Sequence, residues 1–155
     1  LCNSNVLISA ARKGRLDVLQ WIAKNTTLEL CIDTFRVAIH EGRLDIVKWM
    51  CMYHHRGSRQ TYLVRRDKEH MNTAAKQGHF EILEFLHEQG YSCSIDVLYT
   101  CIATGRLERV LWLYENIPKL FFGPNDRARI LSLPYPDMHK FFVSLKAKKT
   151  RPIKK

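Results

Sequence analysis

Residues 10–22, AARKGRLDVLQWI, and residues 38–50, AIHEGRLDIVKWM, are two copies of one pattern. Working outward from them, the pattern returns twice more. Its centres are Gly14-Arg15-Leu16-Asp17, Gly42-Arg43-Leu44-Asp45, Gly78-His79-Phe80-Glu81 and Gly105-Arg106-Leu107-Glu108. A small residue stands four positions before each glycine (Ala10, Ala38, Ala74, Cys101) and an aromatic seven positions after it (Trp21, Trp49, Phe85, Trp112). The glycines lie 28, 36 and 27 residues apart (14 to 42, 42 to 78, 78 to 105). Self-similarity at such a period is the signature of a repeat architecture, in which each unit packs on its neighbours rather than around one central pocket. That directs the functional reading toward binding and away from catalysis.

Nine positions before the glycines stand Asn5, Asp33, Glu69 and Asp96, and seven before them Leu7, Phe35, Met71 and Leu98. Asn and Asp are good helix N-caps, and apolar residues at i, i+3 follow helical spacing. Each repeat is therefore predicted to open with a helix of about eight residues that starts near the polar residue and ends at the glycine in a left-handed turn. Asp17, Asp45, Glu81 and Glu108 then fall in the first turn of a second helix, where a carboxylate suits the positive end of the helix dipole. The second helices carry apolar stripes such as Leu16, Val18, Leu19, Trp21, Ile22 and Leu44, Ile46, Val47, Trp49, Met50, with Arg109 breaking the pattern in the fourth. A helix pair this short cannot bury its apolar face alone, so the repeats are expected to stack, with the aromatics as inter-repeat packing.

Bulk properties fit one folded domain: 155 residues, 46% hydrophobic, 26% charged. No run of about 18 apolar residues is present, so no membrane partner is expected. Of five cysteines, Cys31 and Cys93 precede helix starts and Cys101 takes a small-residue position; they are read as packing rather than as a disulfide framework, which points to a reducing, intracellular compartment. The chain opens on Leu1 with neither an initiator methionine nor a charged-then-apolar leader, and is expected to be a fragment; a removed leader would allow secretion into a host cell. The net charge of +10 is uneven: residues 126–155 hold nine Lys/Arg against two acids, +7, and the rest +3.

These columns resemble the ankyrin repeat. Its helix motif T-P-L-H-x-A-A-x-x-G-H is matched in outline by Asn5-Val6-Leu7-Ile8-Ser9-Ala10-Ala11-Arg12-Lys13-Gly14-Arg15 and by Ala74-Ala75-Lys76-Gln77-Gly78-His79. The T-P-L-H box is absent, and two spacings fall short of the usual value of about 33, which implies truncated hairpins and almost no strand. The segments GRLDIVKWM and GHFEILEFLHEQGYSCSIDVL are similar to the short arrays of oomycete, amoebal and giant-virus ankyrin proteins. The resemblance implies an all-α solenoid of four helix-turn-helix repeats over 3–117 (near 5–25, 33–52, 69–89 and 96–116), a helical C-terminal cap over 118–145 and a basic tail over 146–155. It also implies a concave partner-binding surface made of Arg12, Lys13, His40, Glu41, Lys76, Gln77, Ala103 and Thr104, with Ser9, Val37, Thr73 and Thr100 facing inward. The partner expected there is a protein with an acidic surface.

Two places depart from the repeat. The longest gap holds an insertion in which Arg56, Arg59, Arg65, Arg66 and Lys68 are interleaved with Tyr62 and with Tyr53, His54 and His55. Basic and aromatic residues together can hold phosphates and stack bases, so this loop is a candidate nucleic-acid contact, with a solvated loop as the plainer reading. Cys51-x-x-His54-His55 has a zinc-like spacing but no second ligand pair, so no metal or other cofactor is expected. After Pro118 the repeat ends; Phe121-Phe122-Gly123-Pro124 reads as a turn, Asn125 or Asp126 caps a short helix through Leu131, and Asp137 caps a helix carrying Phe141, Phe142 and Leu145. The tail Lys146, Lys148, Lys149, Arg151, Lys154, Lys155 reads as a nuclear-import signal or a nucleic-acid patch.

No P-loop, GxGxxG, HExxH or GxSxG is found, and the His and Cys residues lie at repeat-determined positions, so the chain is not expected to be an enzyme. The function expected is a non-catalytic protein-binding scaffold, with a host-targeted effector acting in the nucleus as the extension that the family resemblance implies. A nucleic-acid-binding module is the alternative. If the tail is an import signal, changing Lys148, Lys149, Lys154 and Lys155 to Ala moves a tagged chain from nucleus to cytoplasm. If it contacts nucleic acid instead, the same change flattens the salt dependence of binding by roughly 0.9 per lost phosphate contact.

Overall fold

The structure is a computed structural model that describes residues 4–27, 30–55, 67–117, 132 and 134–148. The turn and short helix expected within 118–131 lie outside the described residues. The described residues are helical and contain no strand. The helices are α1 (Ser4–Arg12), α2 (Leu16–Asn25), α3 (Ile32–His40), α4 (Leu44–His55), α5 (Lys68–Gln77), α6 (Phe80–Glu88), α7 (Ile95–Ala103), α8 (Leu107–Asn116) and α9 (Pro136–Lys148). They fall into two compact units, Leu1–Ser94 and Ile95–Lys155.

In the first unit each repeat is one helix pair. α1 packs on α2, α3 on α4 and α5 on α6; across pairs, α1 packs on α3, α3 on α5 and α4 on α6. The glycines sit where the sequence places them, each between the two helices of a pair and left-handed, at φ 69° for Gly14, 71° for Gly42 and 80° for Gly78. The turn closes the same way three times. The amide after the glycine donates to the carbonyl of the small residue, Arg15 to Ala10, Arg43 to Ala38 and His79 to Ala74, at 2.8–2.9 Å. This is the helix-ending arrangement in which a left-handed residue lets the chain turn back on the last carbonyls. Ala38 and Ala74 are fully buried.

The residue after the glycine joins one pair to the preceding one. Arg43 lies over Gly14, where an added Cβ would stand 3.2 Å from its guanidinium carbon, and its Nη2 donates to the Arg12 carbonyl at 3.1 Å. His79 lies over Gly42, 2.5 Å from where a Cβ would be, with Nε2 at 3.0 Å from the His40 carbonyl. In the second unit Tyr135 repeats this on Gly105, its hydroxyl donating to the Ala103 carbonyl at 3.1 Å. The carbonyl used is always the one two residues before the glycine.

Tyr135 shows what α9 is. Aligned on the residue that covers the preceding glycine, Tyr135-Pro136-Asp137-Met138-His139-Lys140-Phe141-Phe142 matches Arg43-Leu44-Asp45-Ile46-Val47-Lys48-Trp49-Met50. Met138 and Phe142 are buried, as are Ile46 and Met50. The helix read in the sequence as a cap therefore has the pattern of a fifth second-helix, with Pro134 at the glycine position.

Two sequence expectations are corrected. The N-caps lie two residues earlier than predicted: Cys31 caps α3 and Asp67 caps α5, its side chain accepting from the Glu69 amide at 3.3 Å. Asp33, Glu69 and Asp96 stand inside the first turn, where their charge still meets the helix dipole, and Asn5 is the second residue of α1. The aromatics, expected as inter-repeat packing, meet that expectation unevenly: Phe85 has Lys48 of the preceding pair 5.7 Å from its ring centroid. Trp21 is 62% exposed, and Trp49, Phe85 and Trp112 are half-buried. The core of the second helices is aliphatic instead, with Leu19, Val47, Leu83, Val110 and Leu113 fully buried.

Gly42→Ala is expected to cost at least about 1–2 kcal/mol for the left-handed backbone alone, with the clash against His79 in addition. Adding His79→Ala should restore the part due to the clash and leave the rest. Denaturant midpoints of both single variants and the double variant check this, and strictly additive effects would contradict it.

Candidate functional site

The helices that open each repeat place their exposed residues at helical spacing, so Asp33, Arg36, Val37 and His40 share one face of α3, and Glu69, Thr73 and Lys76 one face of α5. Between these faces lies an open groove of about 250 Å³, lined by Arg36, Val37, Ile39, His40, Glu69, His70 and Thr73. Val37, His40 and Thr73 therefore lie together along this groove.

Charge is sorted along the groove. At the helix-start end the Arg36 guanidinium lies 3.5 Å from Glu69 on the facing helix and 3.7 Å from Asp33 on its own. At the glycine end Glu41 lies 3.4 Å from His40 Nδ1 and 3.9 Å from Arg12 Nε. Lys13 and Lys76 are exposed at that end and form no ion pair among the described residues. Gln77 is exposed beside Lys76. The Thr73 hydroxyl donates to the Glu69 carbonyl at 2.9 Å, which leaves its lone pairs to the groove.

The floor is His70. It is 2% exposed and packs edge-on against Phe35 and Tyr91, with centroids at 5.3 and 5.8 Å. Neither ring nitrogen makes a hydrogen bond. Burial holds its proton affinity below the ordinary histidine value, with Asp67 opposing part of the shift. His70 stands eight positions before its glycine, in the column of Thr34 and Val97, which are both fully buried. Its role is that of a core residue at the base of the groove.

Arg36, Glu69 and His70 were not among the site residues read from the sequence. The signal was present: Arg36 precedes His40 by one helical turn, and Glu69 stands in the column of Asp33. Thr100 and Thr104 belong to the second unit, where their hydroxyls donate to the Asp96 and Cys101 carbonyls at 2.8 and 2.9 Å. Arg56, Arg59, Tyr62, Arg65 and Arg66 lie outside the described residues, as do Lys149, Arg151, Lys154, Lys155 and the side chains of His54, His55, Lys146 and Lys148. Lys68 is the exposed first residue of α5.

Cys51 and Cys101 are buried, and burial pushes both thiols up to about 11, far from a reactive thiolate. Among the described residues no three His, Cys, Asp or Glu side chains gather as a metal site, and no helix is long and apolar enough to cross a membrane. Comparison with family models, curated proteins and solved structures gave no match.

His70 sets a pH dependence. Its folded-state affinity for a proton is below that of the unfolded chain, whose value is near 6.5. The stabilisation from its neutral burial is complete above that pH and is lost as pH falls through it, because the unfolded chain then binds the proton first. The melting temperature should fall between pH 7 and 5.5, and His70→Leu should flatten that slope. An unchanged slope would mean that His70 titrates normally in the folded chain.

Proposed function

We propose that the chain is a non-catalytic, ankyrin-like protein-binding scaffold that holds a partner protein against the α3–α5 groove and the cationic end beside it. The observation that carries this reading is the convergence of Val37, His40 and Thr73, from successive helix pairs, on one groove whose glycine end carries Lys13 and Lys76, exposed and without an ion pair among the described residues. A volume of about 250 Å³ is below the roughly 300–1,000 Å³ of small-molecule sites, which favours an inserted side chain of a larger partner over a cofactor or substrate.

The partner chemistry follows from charge. Arg36 is neutralised by Asp33 and Glu69, and Glu41 offsets Arg12. Lys13 and Lys76 remain to attract acidic groups, which speeds encounter and sets orientation more than it adds affinity.

Lys13→Glu with Lys76→Glu should abolish capture of the partner by the intact chain while leaving the melting temperature nearly unchanged, since both side chains are exposed. Thr73→Phe, which fills the groove, should do the same. Capture that survives both changes would move the interface elsewhere on the chain.

A further inference from the structure

The first unit has two joints between helix pairs, and they are built from different chemistry. At the joint of the first and second pairs, Arg43 covers Gly14, and the buried Thr34 of α3 stands in the column of His70. Neither side chain changes charge between pH 7 and pH 5. At the joint of the second and third pairs the same two places are held by His79, over Gly42, and by His70. His79 keeps its contact on taking up a proton, because its Nε2 donates to the His40 carbonyl at 3.0 Å and an imidazolium retains that N–H. His70 has no such bond to keep: neither of its ring nitrogens has a hydrogen-bond partner among the described residues. Its ring is held between Phe35 of α3 and Tyr91. The charged and titratable groups around it are Asp67 and Glu69 on its own side, Arg36 with its partner Asp33, and His40, from α3, and Tyr91 from the turn after α6, with Cys51 of α4 behind Tyr91. Burial disfavours a charge on the ring more than Asp67 and Glu69 favour it, and Arg36 opposes it as well. His40 is exposed and meets Glu41 when charged.

A second proton on the His70 ring has no acceptor while the joint is closed, and water supplies one once the joint opens. We propose that the joint between the second and third helix pairs is an acid-sensitive one: when His70 takes up a proton from solvent, α3 and α5 part there, while the joint between the first and second pairs stays closed. Repeat arrays permit such separate openings, because each pair contacts only its neighbours and stability is a sum over pairs and joints. The groove is lined from both α3 and α5, so it exists only while this joint is closed. The size of the effect follows from linkage. With an ordinary value near 6.5 for the ring in the open form and no proton bound in the closed form, the ratio of open to closed rises by about 25-fold from pH 7 to pH 5. Global unfolding would instead expose His70 together with every other buried residue. None of this depends on which surface binds a partner protein.

Backbone hydrogen exchange on the intact chain tests this with two matched sets of amides. Ala74 and Ala75 lie in α5, Ala10 and Ala11 hold the same columns in α1, and all four are buried. With ten residues, α5 is too short to stay helical without its packing, so its amides exchange when the joint opens. After correction for intrinsic rates, exchange at Ala74 and Ala75 should speed up by about 25-fold from pH 7 to pH 5, and exchange at Ala10 and Ala11 by several-fold less. His70→Val, which copies Val97 of the same column, should remove the acceleration at Ala74 and Ala75. His70→Thr, which copies Thr34, should do the same and serves if the valine variant does not fold. Equal acceleration at both sets overturns the proposal, since His70 would then take up its proton only on global unfolding. No acceleration at Ala74 and Ala75 overturns it too, as does acceleration that persists in a folded His70 variant.

Discussion

The architecture depends on one contact, in which the side chain just before a second helix lies on the glycine of the preceding helix pair and bonds the carbonyl two residues before it. Arg43, His79 and Tyr135 make it with three different chemistries, guanidinium, imidazole and phenol. What they share is a planar donor group and a floor without a side chain. The glycine therefore serves two ends. It permits the left-handed turn that closes its own pair, and it leaves room for the next pair to approach. The hydrogen bond also satisfies a carbonyl at the end of a helix, where no intrahelical amide is available.

Much of this was legible in the sequence, because glycine is the residue whose placement is least free. The four turns, the small residues before them and the helical spacing on both sides all lie where the repeat reading puts them. The capping positions were misread by two residues, since an acid in the first turn satisfies the dipole as well as an acid at the cap and the pattern alone does not separate the two. The aromatic column was legible only in part: Phe85 packs against Lys48 of the preceding pair, whereas Trp21 is 62% exposed, and an offset to the glycine does not tell the two apart. Tyr135 was passed over because it follows a proline rather than a glycine, which hid the fifth copy of the second-helix pattern.

The groove was half legible. Val37, His40 and Thr73 were named through the family resemblance, which implies the residues that line a concave face. Arg36, Glu69 and His70 required the neighbouring helix to be in place, because a cross-helix ion pair and a buried ring are properties of two segments that the sequence keeps 33 or more residues apart (36 to 69, 35 to 70). The resulting surface separates a neutralised end, where Arg36 lies between Asp33 and Glu69, from an end that carries the exposed Lys13 and Lys76.

The most direct test of the central contact is the proton chemical shifts of the glycine α positions in the folded chain. Gly42 lies under the His79 ring and Gly105 under the Tyr135 ring, whereas Gly14 lies under the guanidinium of Arg43, which has no aromatic ring current. The account predicts strong upfield shifts at Gly42 and Gly105, lost in His79→Ala and Tyr135→Ala respectively, with Gly14 near its ordinary position. Glycine α protons that are all near ordinary values, or unmoved by those substitutions, would contradict it.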